Sequence, residues 1–201
     1  MSLMPTMIEL LARARVDLRM GLPVVLIEEG QAALAIAAES LSQDRLTEMQ
    51  ALGEATLALT ARRAETLKAR AYDGDTARIR LPNTANLGWI QALADPADDL
   101  NAPMKGPLVS AREGSATLHR LAIALVKSAR LLPAALLVPL DSGAQFAASH
   151  GLTLLPQAAA EPLMSQSSPL HAVAAARLPI QAAEAGRLHV FRPEDGGEEH
   201  Y

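Results

Sequence analysis

The stretch ATLHRLAIALVKSARLLPAALLVPL, residues 116–140, contains the two patterns from which the fold class is inferred. In its first part, apolar residues recur at the three- and four-residue spacing of a helix with one apolar face. These residues are Leu118, Leu121, Ala122, Leu125 and Ala129. Ser115 is a candidate N-cap for this helix. The second part, residues 134–140, is a short apolar run typical of a strand covered on both faces, so a helix leads into a central strand.

The alternation of helix and strand patterns continues on both sides of this stretch. Helices are predicted over residues 7–21, 42–53, 61–70, 86–94 and 144–151. Strands are predicted over residues 23–28, 32–39, 55–60, 77–82 and 152–156. The predicted face of the first helix carries Ile8, Leu11, Ala12 and Arg15. Because strands and helices alternate throughout, we predict an α/β domain over residues 1–156 with a mostly covered sheet.

The overall composition excludes several classes of protein. The chain has 201 residues and a formal net charge of −4, so no global basic field is available to attract nucleic acid. It contains no cysteine, which excludes a disulfide scaffold, a thiolate zinc site and a cysteine nucleophile and fits a reducing cytoplasm. The most apolar window, residues 131–140, is too short to span a membrane and contains two prolines. We therefore expect a soluble, cytoplasmic protein without membrane or nucleic-acid partners.

The composition changes after the last of these predicted strands. Residues 157–168 are rich in alanine and serine, lack periodicity and are predicted to be a linker. Beyond it, residues 188–192 alternate as a strand would, and Asp195-Gly196-Gly197 favours a turn. Residues 198–201 would begin the returning strand, and such a hairpin is too small to fold alone. We therefore predict that residues 169–201 are the start of a second domain.

Few residues form a recognisable site. Lys105-Gly106 with Arg112 is a candidate anion-binding loop, because glycine lets the backbone approach an anion and both side chains attract phosphate. The alternative is a solvated loop. His119 lies beside the apolar stripe and either adds to that anion site or is a partly buried histidine at an interface. Glu28-Glu29 is either a carboxylate pair for a metal or solvated charge in a turn. No motif brings a nucleophile, a base and an acid together, so no catalytic, cofactor-binding or metal-binding residue is predicted.

Six sequence motifs occur in an order that is typical of one enzyme family. They are GLPVVLIEE (21–29), ALAIAAESLSQDRL (33–46), ATLALTARRAETL (55–67), IQALADP (90–96), LVKSARLLPAALL (125–137) and FAASHGLTLL (146–155). In this order they resemble 3,4-dihydroxy-2-butanone-4-phosphate synthase, the riboflavin-pathway enzyme that acts on ribulose 5-phosphate. The resemblance covers residues 8–156 and implies that family's mixed sheet covered by helices.

The segments that carry catalysis in the resembled family differ here. The family follows its first strand with an acidic D-R-E-N-E-G loop, whereas Gly30 and the second strand follow Glu29 at once. Its D-R-x-T-T sugar-phosphate segment corresponds to residues 85–89, which lack aspartate, arginine and threonine. Its G-H-T-E motif falls on residues 117–120, where His119 is displaced by one position and the glutamate is replaced by Arg120. A shift of one residue turns a helical side chain by roughly 100°, so the resemblance implies the fold without the activity.

The tail from Ala176 to Tyr201 resembles the first residues of GTP cyclohydrolase II, which is commonly fused behind a butanone-phosphate synthase domain. The resemblance implies that the chain stops just inside that domain and that a zinc site held by three cysteines would follow it. We expect a non-catalytic scaffold and dimerisation domain of a GTP cyclohydrolase II of riboflavin biosynthesis, with no cofactor in this segment. In the expected homodimer, Leu118 would pack in the interface, because its helix carries more apolar surface than one sheet face covers. The alternatives are a regulatory sugar-phosphate or nucleotide site near Lys105, Arg112 and His119, and a residually active synthase.

Overall fold

A six-stranded mixed sheet forms the centre of the fold. The structure is a computed structural model that describes residues 3–82, 84–97, 99–100, 103, 105–165, 168–179, 181 and 184–201. The strands of this sheet are β1 (Val24–Glu28), β2 (Gln31–Ala37), β3 (Thr56–Thr60), β4 (Thr76–Arg80), β5 (Ala134–Leu140) and β6 (Leu154–Pro156). They lie in the order β4-β3-β5-β2-β1-β6, in which β1 and β6 are parallel and all other neighbours antiparallel. The predicted central strand is confirmed, because β5 lies between β3 and β2.

Helices cover both faces of the sheet. They are α1 (Met7–Arg19), α2 (Gln43–Leu52), α3 (Ala61–Thr66), α4 (Leu87–Ala94), α5 (Thr117–Ser128), α6 (Gly143–His150) and α7 (Gln157–Ser165). One face packs against α2, α3, α4 and α6 around Leu46, Ile90 and Leu136. The opposite face, called the α5 face below, packs against α1, α5 and α7 around Leu18 and Leu125. The predicted α/β class is therefore confirmed.

Side-chain caps begin several helices, and one of the two predicted caps is displaced. Ser42 caps α2 through its hydroxyl, as predicted. At α5 the N-cap residue is Ala116, which has no side chain for this purpose. The Ser115 hydroxyl instead accepts a hydrogen bond from the Thr117 amide at 3.1 Å. Ser115 thus accepts a hydrogen bond from one free amide at the start of α5, but it lies one residue before the N-cap position that was predicted for it.

Helix α1 buries only part of its predicted face, because Leu11 is buried as predicted whereas Ile8 is not. Its buried residues are Leu11, Ala14 and Leu18. Ile8, which was predicted on the apolar face, is 39% exposed. With Ala12 and Arg15 it lines a groove between α1 and the C-terminal segment. Two neighbouring rows of α1 residues recur at helical spacing, and the spacing alone does not decide which row packs against the sheet.

The apolar stripe of α5 is covered within a single chain. Its buried residues are Leu118, Leu121, Ala122, Ile123, Leu125 and Val126. They share one core cluster with side chains of α1, α7 and the sheet. Leu118 has only 6% of its surface exposed before any second chain is present. The expectation that Leu118 packs in a dimer interface is therefore wrong, while the homodimer itself stays a prediction.

The segment predicted to be a linker begins as a packed helix. Helix α7 occupies residues 157–165, and its Ala160 is fully buried on the α5 face. Pro162 lies inside this helix, and an internal proline argues against a helix. The segment also lacks the apolar period that indicates one, so the sequence did not predict α7. The linker prediction is wrong for residues 157–165. The domain boundary after Pro156 stays a prediction.

A separate two-stranded antiparallel sheet, called the ribbon below, follows α7. It consists of β7 (Leu170–Arg177) and β8 (Arg187–Pro193). The strand predicted over residues 188–192 is confirmed, although its main partner is β7 rather than the returning segment. That segment adds one bridge, in which Phe191 and His200 exchange two backbone hydrogen bonds of 2.8 Å. All residues of β7 are exposed.

Within the described ranges, every helix is too short or too polar to cross a lipid bilayer.

Candidate functional site

A cavity of about 950 Å³ opens on the α5 face of the sheet, between β3, β4, β5 and the start of α5. Apolar residues such as Leu118 and Leu137 form its floor. Its polar lining includes Thr56, Arg78 and His119. Gly30 and Gln31, at the connection between β1 and β2, lie at its edge. Because the cavity combines an apolar floor with a few convergent polar groups, it is the candidate ligand site of this domain.

His119 is the titratable group inside this cavity. Its Nε2 atom is hydrogen-bonded to the hydroxyl of Thr56 at 2.9 Å. Its Nδ1 atom is buried and has no hydrogen-bond partner. Burial lowers the pKa of His119 from 6.5 to about 4, and the positive charge of Arg78 adds to this effect while Asp73 opposes it. The imidazole is therefore neutral near pH 7 and can donate one hydrogen bond and accept one.

Arg78 forms the charged wall of the cavity, but its charge is already compensated. Its guanidinium binds both carboxylate oxygens of Asp73, at 2.8 and 3.1 Å. It also donates to the backbone carbonyl of Glu113 at 2.9 Å. The residue is only 4% exposed. A buried, bidentate arginine of this kind holds the 110–115 segment against β4 rather than offering a free cation.

The carboxylates at the rim of the cavity face another arginine. Arg80 lies 3.2 Å from Glu113 and 4.0 Å from Glu54. All three side chains are largely exposed, at 49%, 81% and 95% of their surface. Exposed pairs of this type contribute about 0–1 kcal/mol each and are screened by salt. The rim is therefore a solvated set of mixed charges.

The connection between β1 and β2 is a tight turn. Glu28 pairs with Gln31 across the hairpin, so only Glu29 and Gly30 lie between the strands. Gly30 has a φ of +72°, a conformation that glycine adopts without strain. One carboxylate oxygen of Glu28 is buried without a hydrogen-bond partner. The predicted absence of a loop after Glu29 is confirmed by this geometry.

The residues around the cavity do not fit the magnesium that the fold family implies. Mg²⁺ takes several oxygen ligands in near-octahedral geometry. Glu54 and Glu113 are oriented toward Arg80, and the imidazole of His119 offers nitrogen. Over the described part of the chain, no three or more His, Cys, Asp or Glu side chains come together in a way that could hold a metal ion.

Lys105 lies away from this cavity and binds the end of α4. Its ammonium donates to the carbonyl of Ala92 at 2.7 Å and forms an ion pair with Asp99. Arg63 binds the same carboxylate and donates to the carbonyl of Leu93 at 2.7 Å. Hydrogen bonds from Arg63 and Lys105 hold the pKa of Asp99 well below its usual range. Lys105 is thus a structural cation at a helix C-terminus.

Arg112 is also separate from His119. It is exposed, and its guanidinium lies over the ring of Tyr72 at 4.6 Å. The structure therefore does not bring Lys105, Arg112 and His119 together, and among these three only His119 lines the cavity. The sequence prediction missed Thr56 and Arg78. Alternation along the predicted strands 55–60 and 77–82 could have placed them on one face, since both point to the side opposite Leu57 and Ile79.

Comparison with known proteins gives two independent relationships. No family model matches the chain. A GTP cyclohydrolase-2 from Azospirillum brasilense is 33% identical over 196 residues, which are 94% of this chain and 51% of that protein. RibBX, a two-domain 3,4-dihydroxy-2-butanone 4-phosphate synthase from A. baumannii, superposes with a TM-score of 0.58 at 16% identity, over 91% of this chain and 66% of that chain. The chain has the fold of a 3,4-dihydroxy-2-butanone 4-phosphate synthase and is related in sequence to a GTP cyclohydrolase-2.

Another solved structure supports the fold of this synthase-like domain. The 3,4-dihydroxy-2-butanone 4-phosphate synthase of Candida albicans superposes with a TM-score of 0.56 at 15% identity, over 77% of this chain and 96% of that chain. The family resemblance inferred from the six motifs is thus confirmed. The chain spans about half the length of the curated relative that it matches.

Proposed function

We propose that this synthase-like domain is a non-catalytic scaffold for a GTP cyclohydrolase II domain in a longer riboflavin-biosynthesis protein. The observation that carries the proposal is the two-residue connection between β1 and β2. The turn at Glu29 and Gly30 leaves no chain to carry the acidic loop of the resembled synthase. The rest of the domain keeps a packed fold, because helices cover both faces of the six-stranded sheet.

The chemistry of the cavity supports the same proposal. A synthase acting on a sugar phosphate needs a general base or a metal near the substrate. His119 is neutral, hydrogen-bonded to Thr56 and set on the cavity wall, while Arg78 is occupied by Asp73. These groups stabilise the packing of α5 against the sheet and do not form a nucleophile–base pair.

Activity measurements on the purified chain test this function. With ribulose 5-phosphate and Mg²⁺, we expect no product above a no-protein control, because the carboxylate loop is absent. With GTP and Zn²⁺, we expect no hydrolysis, because the chain contains no cysteine. Turnover of ribulose 5-phosphate that disappears in the His119→Gln variant would contradict the scaffold role.

The longer natural polypeptide provides the complementary test. We propose that it opens the imidazole ring of GTP with zinc held in the following domain, and that the protein is cytoplasmic, as the cysteine-free sequence favours. GTP hydrolysis by the full-length protein, lost on chelation of zinc, is the expected result. Full-length protein without bound zinc and without GTP hydrolysis would contradict it.

A second candidate function is suggested by the orphan atom in the cavity. The buried Nδ1 of His119 has no partner, and the cavity of about 950 Å³ is large enough for a small phosphorylated ligand. The ligand of this second function would be a regulatory sugar phosphate or nucleotide that occupies the cavity beside His119. Calorimetric titration of the chain with ribulose 5-phosphate and with GTP tests this. Binding that is lost in His119→Gln would favour the regulatory role, and no heat with either compound would exclude it.

A further inference from the structure

The turn that follows the ribbon is held against the core in a specific way. A groove of about 840 Å³ lies between α1, the end of α5, α7 and residues 193–198. Ile8, Ala12 and Val16 form an apolar row of α1 along this groove. Pro193, at the end of β8, is buried, although most of the ribbon is exposed. The end of β8 is therefore the part of the ribbon that is packed.

Arg15 of α1 joins this turn to two elements of the core. Its Nε donates to the hydroxyl of Ser128, the last residue of α5, at 3.3 Å. Its Nη1 donates to the carboxylate of Asp195 at 2.9 Å and to the backbone carbonyl of the same residue at 3.3 Å. The arginine side chain is 14% exposed and that of Asp195 is 29% exposed. Partial burial reduces the screening that weakens ordinary surface ion pairs.

Asp195 in turn fixes the geometry of the turn itself. Its carboxylate accepts the amide of Gly197 at 3.1 Å, and its own amide donates to the hydroxyl of Ser168 at 3.2 Å. Burial raises the pKa of Asp195, but the hydrogen bonds from Gly197 and Arg15 outweigh it and lower the pKa below its usual value. The side chain is therefore ionised at neutral pH. Asp195 therefore links Ser168, which precedes β7, with Gly197, which follows β8.

We infer that Arg15 is a positioning residue that docks the ribbon onto α1, so that this face of the core fixes the orientation of the chain segment beyond Ser165. The inference rests on the proposed scaffold function and adds the surface through which the scaffold acts. A two-stranded ribbon is marginally stable alone, so a partly buried ion pair at its end strongly influences how long it stays docked.

A second ion pair near the turn provides an internal comparison. Arg130 lies 2.8 Å from Glu198, but the two side chains are 62% and 60% exposed. Solvent and salt screen such a pair, which is far more exposed than the pair of Arg15 with Asp195. The inference therefore assigns the docking to Arg15 and not to Arg130.

Amide hydrogen exchange of the intact chain tests this inference. In Arg15→Gln, we expect amides of β7 and β8 to exchange at least about threefold faster, with unchanged exchange in β2 and β5. Arg130→Gln should stay within about 1.5-fold of the wild type, because its pair is exposed. Arg45→Gln removes an ion pair of equal length with Glu48 on α2, which is more exposed and lies on the opposite side of the sheet, and serves as the control. Equal ribbon exchange in Arg15→Gln and wild type, or faster exchange in β5 as well, would overturn the inference.

The coupling between the two partners gives a second, independent measurement. Asp195→Asn removes the charge but keeps an oxygen for the Gly197 amide. If the two residues act through one contact, Arg15→Gln combined with Asp195→Asn should exchange no faster than the faster single variant. Multiplicative rates would refute the shared contact. The scaffold function is tested separately by the activity assays. Turnover of ribulose 5-phosphate would contradict the scaffold function, but it would not change the conclusion from the exchange rates.

Discussion

His119 connects the cavity with the stability of the domain. The folded state keeps the imidazole neutral down to about pH 4, whereas an unfolded chain binds the proton below about pH 6.5. Between these values the unfolded state holds more protons, so stability falls as the pH falls from 6.5 to 4 and this contribution is constant below that range. The full effect is on the order of 3 kcal/mol. Urea unfolding at pH 7.0 and 4.5 should show it, and His119→Gln should lose most of it.

A matched variant separates this effect from the hydrogen bond of the same side chain. Thr56→Val removes the partner of Nε2 but leaves the histidine buried. We expect it to lower stability by about 1–2 kcal/mol at pH 7 and to retain the pH dependence. If His119→Gln and wild type lose the same free energy between the two pH values, the assignment to His119 is wrong.

Gly143 is a second residue whose role follows from close contact. A Cβ atom at this position would lie 2.5 Å from Cβ of Ala32 and 3.1 Å from Cγ2 of Ile27. Helix α6 therefore approaches the sheet more closely than any larger residue would permit. Gly143→Ala should destabilise the domain by about 1–3 kcal/mol in chemical unfolding. Gly88→Ala, in the exposed first turn of α4, should be neutral or stabilising, and an equal loss in both variants would contradict this explanation.

Whether the role of a single residue can be predicted from the sequence depends on how close in the chain its hydrogen-bond or ion-pair partners lie. Ser42 was predicted because an N-cap involves residues three positions apart. Lys105 was assigned to an anion site because Asp99 and the α4 carbonyls reach it only in the folded chain. Arg78 was missed for the same reason, since a charge in a predicted strand has no visible partner until Asp73 folds onto it.

At the scale of elements, the C-terminus of α4 depends on Arg63. The guanidinium donates to the carbonyls of Leu93 at 2.7 Å and of Ala92 and Asp95 at 3.0 Å, and it pairs with Asp99. Three carbonyls at a helix end and one carboxylate would lose a donor in Arg63→Met. We expect a loss of about 2–4 kcal/mol, because these groups are partly buried.

The fluorescence of Trp89 provides the measurement for this variant. Its indole donates to the carbonyl of Lys105 at 3.1 Å, so it reports on the same region. Urea unfolding followed through Trp89 should show a lower midpoint for Arg63→Met. Arg62→Met, on the exposed side of α3, should remain within about 0.5 kcal/mol of the wild type. Similar losses in both variants would mean that Arg63 acts through general helix propensity.

Most strands and helices of the core were predictable because their apolar periods are strong. Helix α3 ends at Thr66, four residues earlier than predicted, and Lys68 then adopts a φ of +58°. Strand β7 was missed because its alanines favour helix over strand, and helix α7 was missed because it contains Pro162 and lacks an apolar period. The packing of α7 is decided by the surface it covers on the α5 face and not by its own sequence.

At the scale of the whole molecule, the predicted homodimer remains to be measured. Because the apolar stripe of α5 is covered by α1, α7 and the sheet, a dimer would have to use a surface other than that stripe. Light scattering at micromolar concentration should give a mass near twice 21.2 kDa. Leu118→Ala should lower stability by about 2–4 kcal/mol without changing that mass, since the side chain is buried inside one chain. A mass that stays at 21.2 kDa over a wide concentration range would exclude the dimer.

Strand order was not predictable from periodicity, because alternation reveals that a segment is a strand but not its neighbours. The six motifs indicated a mixed sheet covered by helices through the resemblance to a known fold, but they did not give the order of its strands. The mixed pairing, with β6 parallel to β1 at one edge, follows from the long path through five helices that separates them. Neither periodicity nor the resemblance predicted the packing of the ribbon, because that packing depends on a contact with Arg15 in the first helix.

The ribbon also has a consequence for how the protein behaves at high concentration. Among the described residues, β7 pairs only with β8, so its outer edge presents free amides and carbonyls. Its central residues, 172–176, carry no charge, and Val173 is 48% exposed. Such an edge is a template for strands of other molecules, and the bulge at Val173 is the feature that counteracts this by twisting the strand. We therefore expect one uncovered strand, rather than the stability of the core, to limit the solubility of this chain.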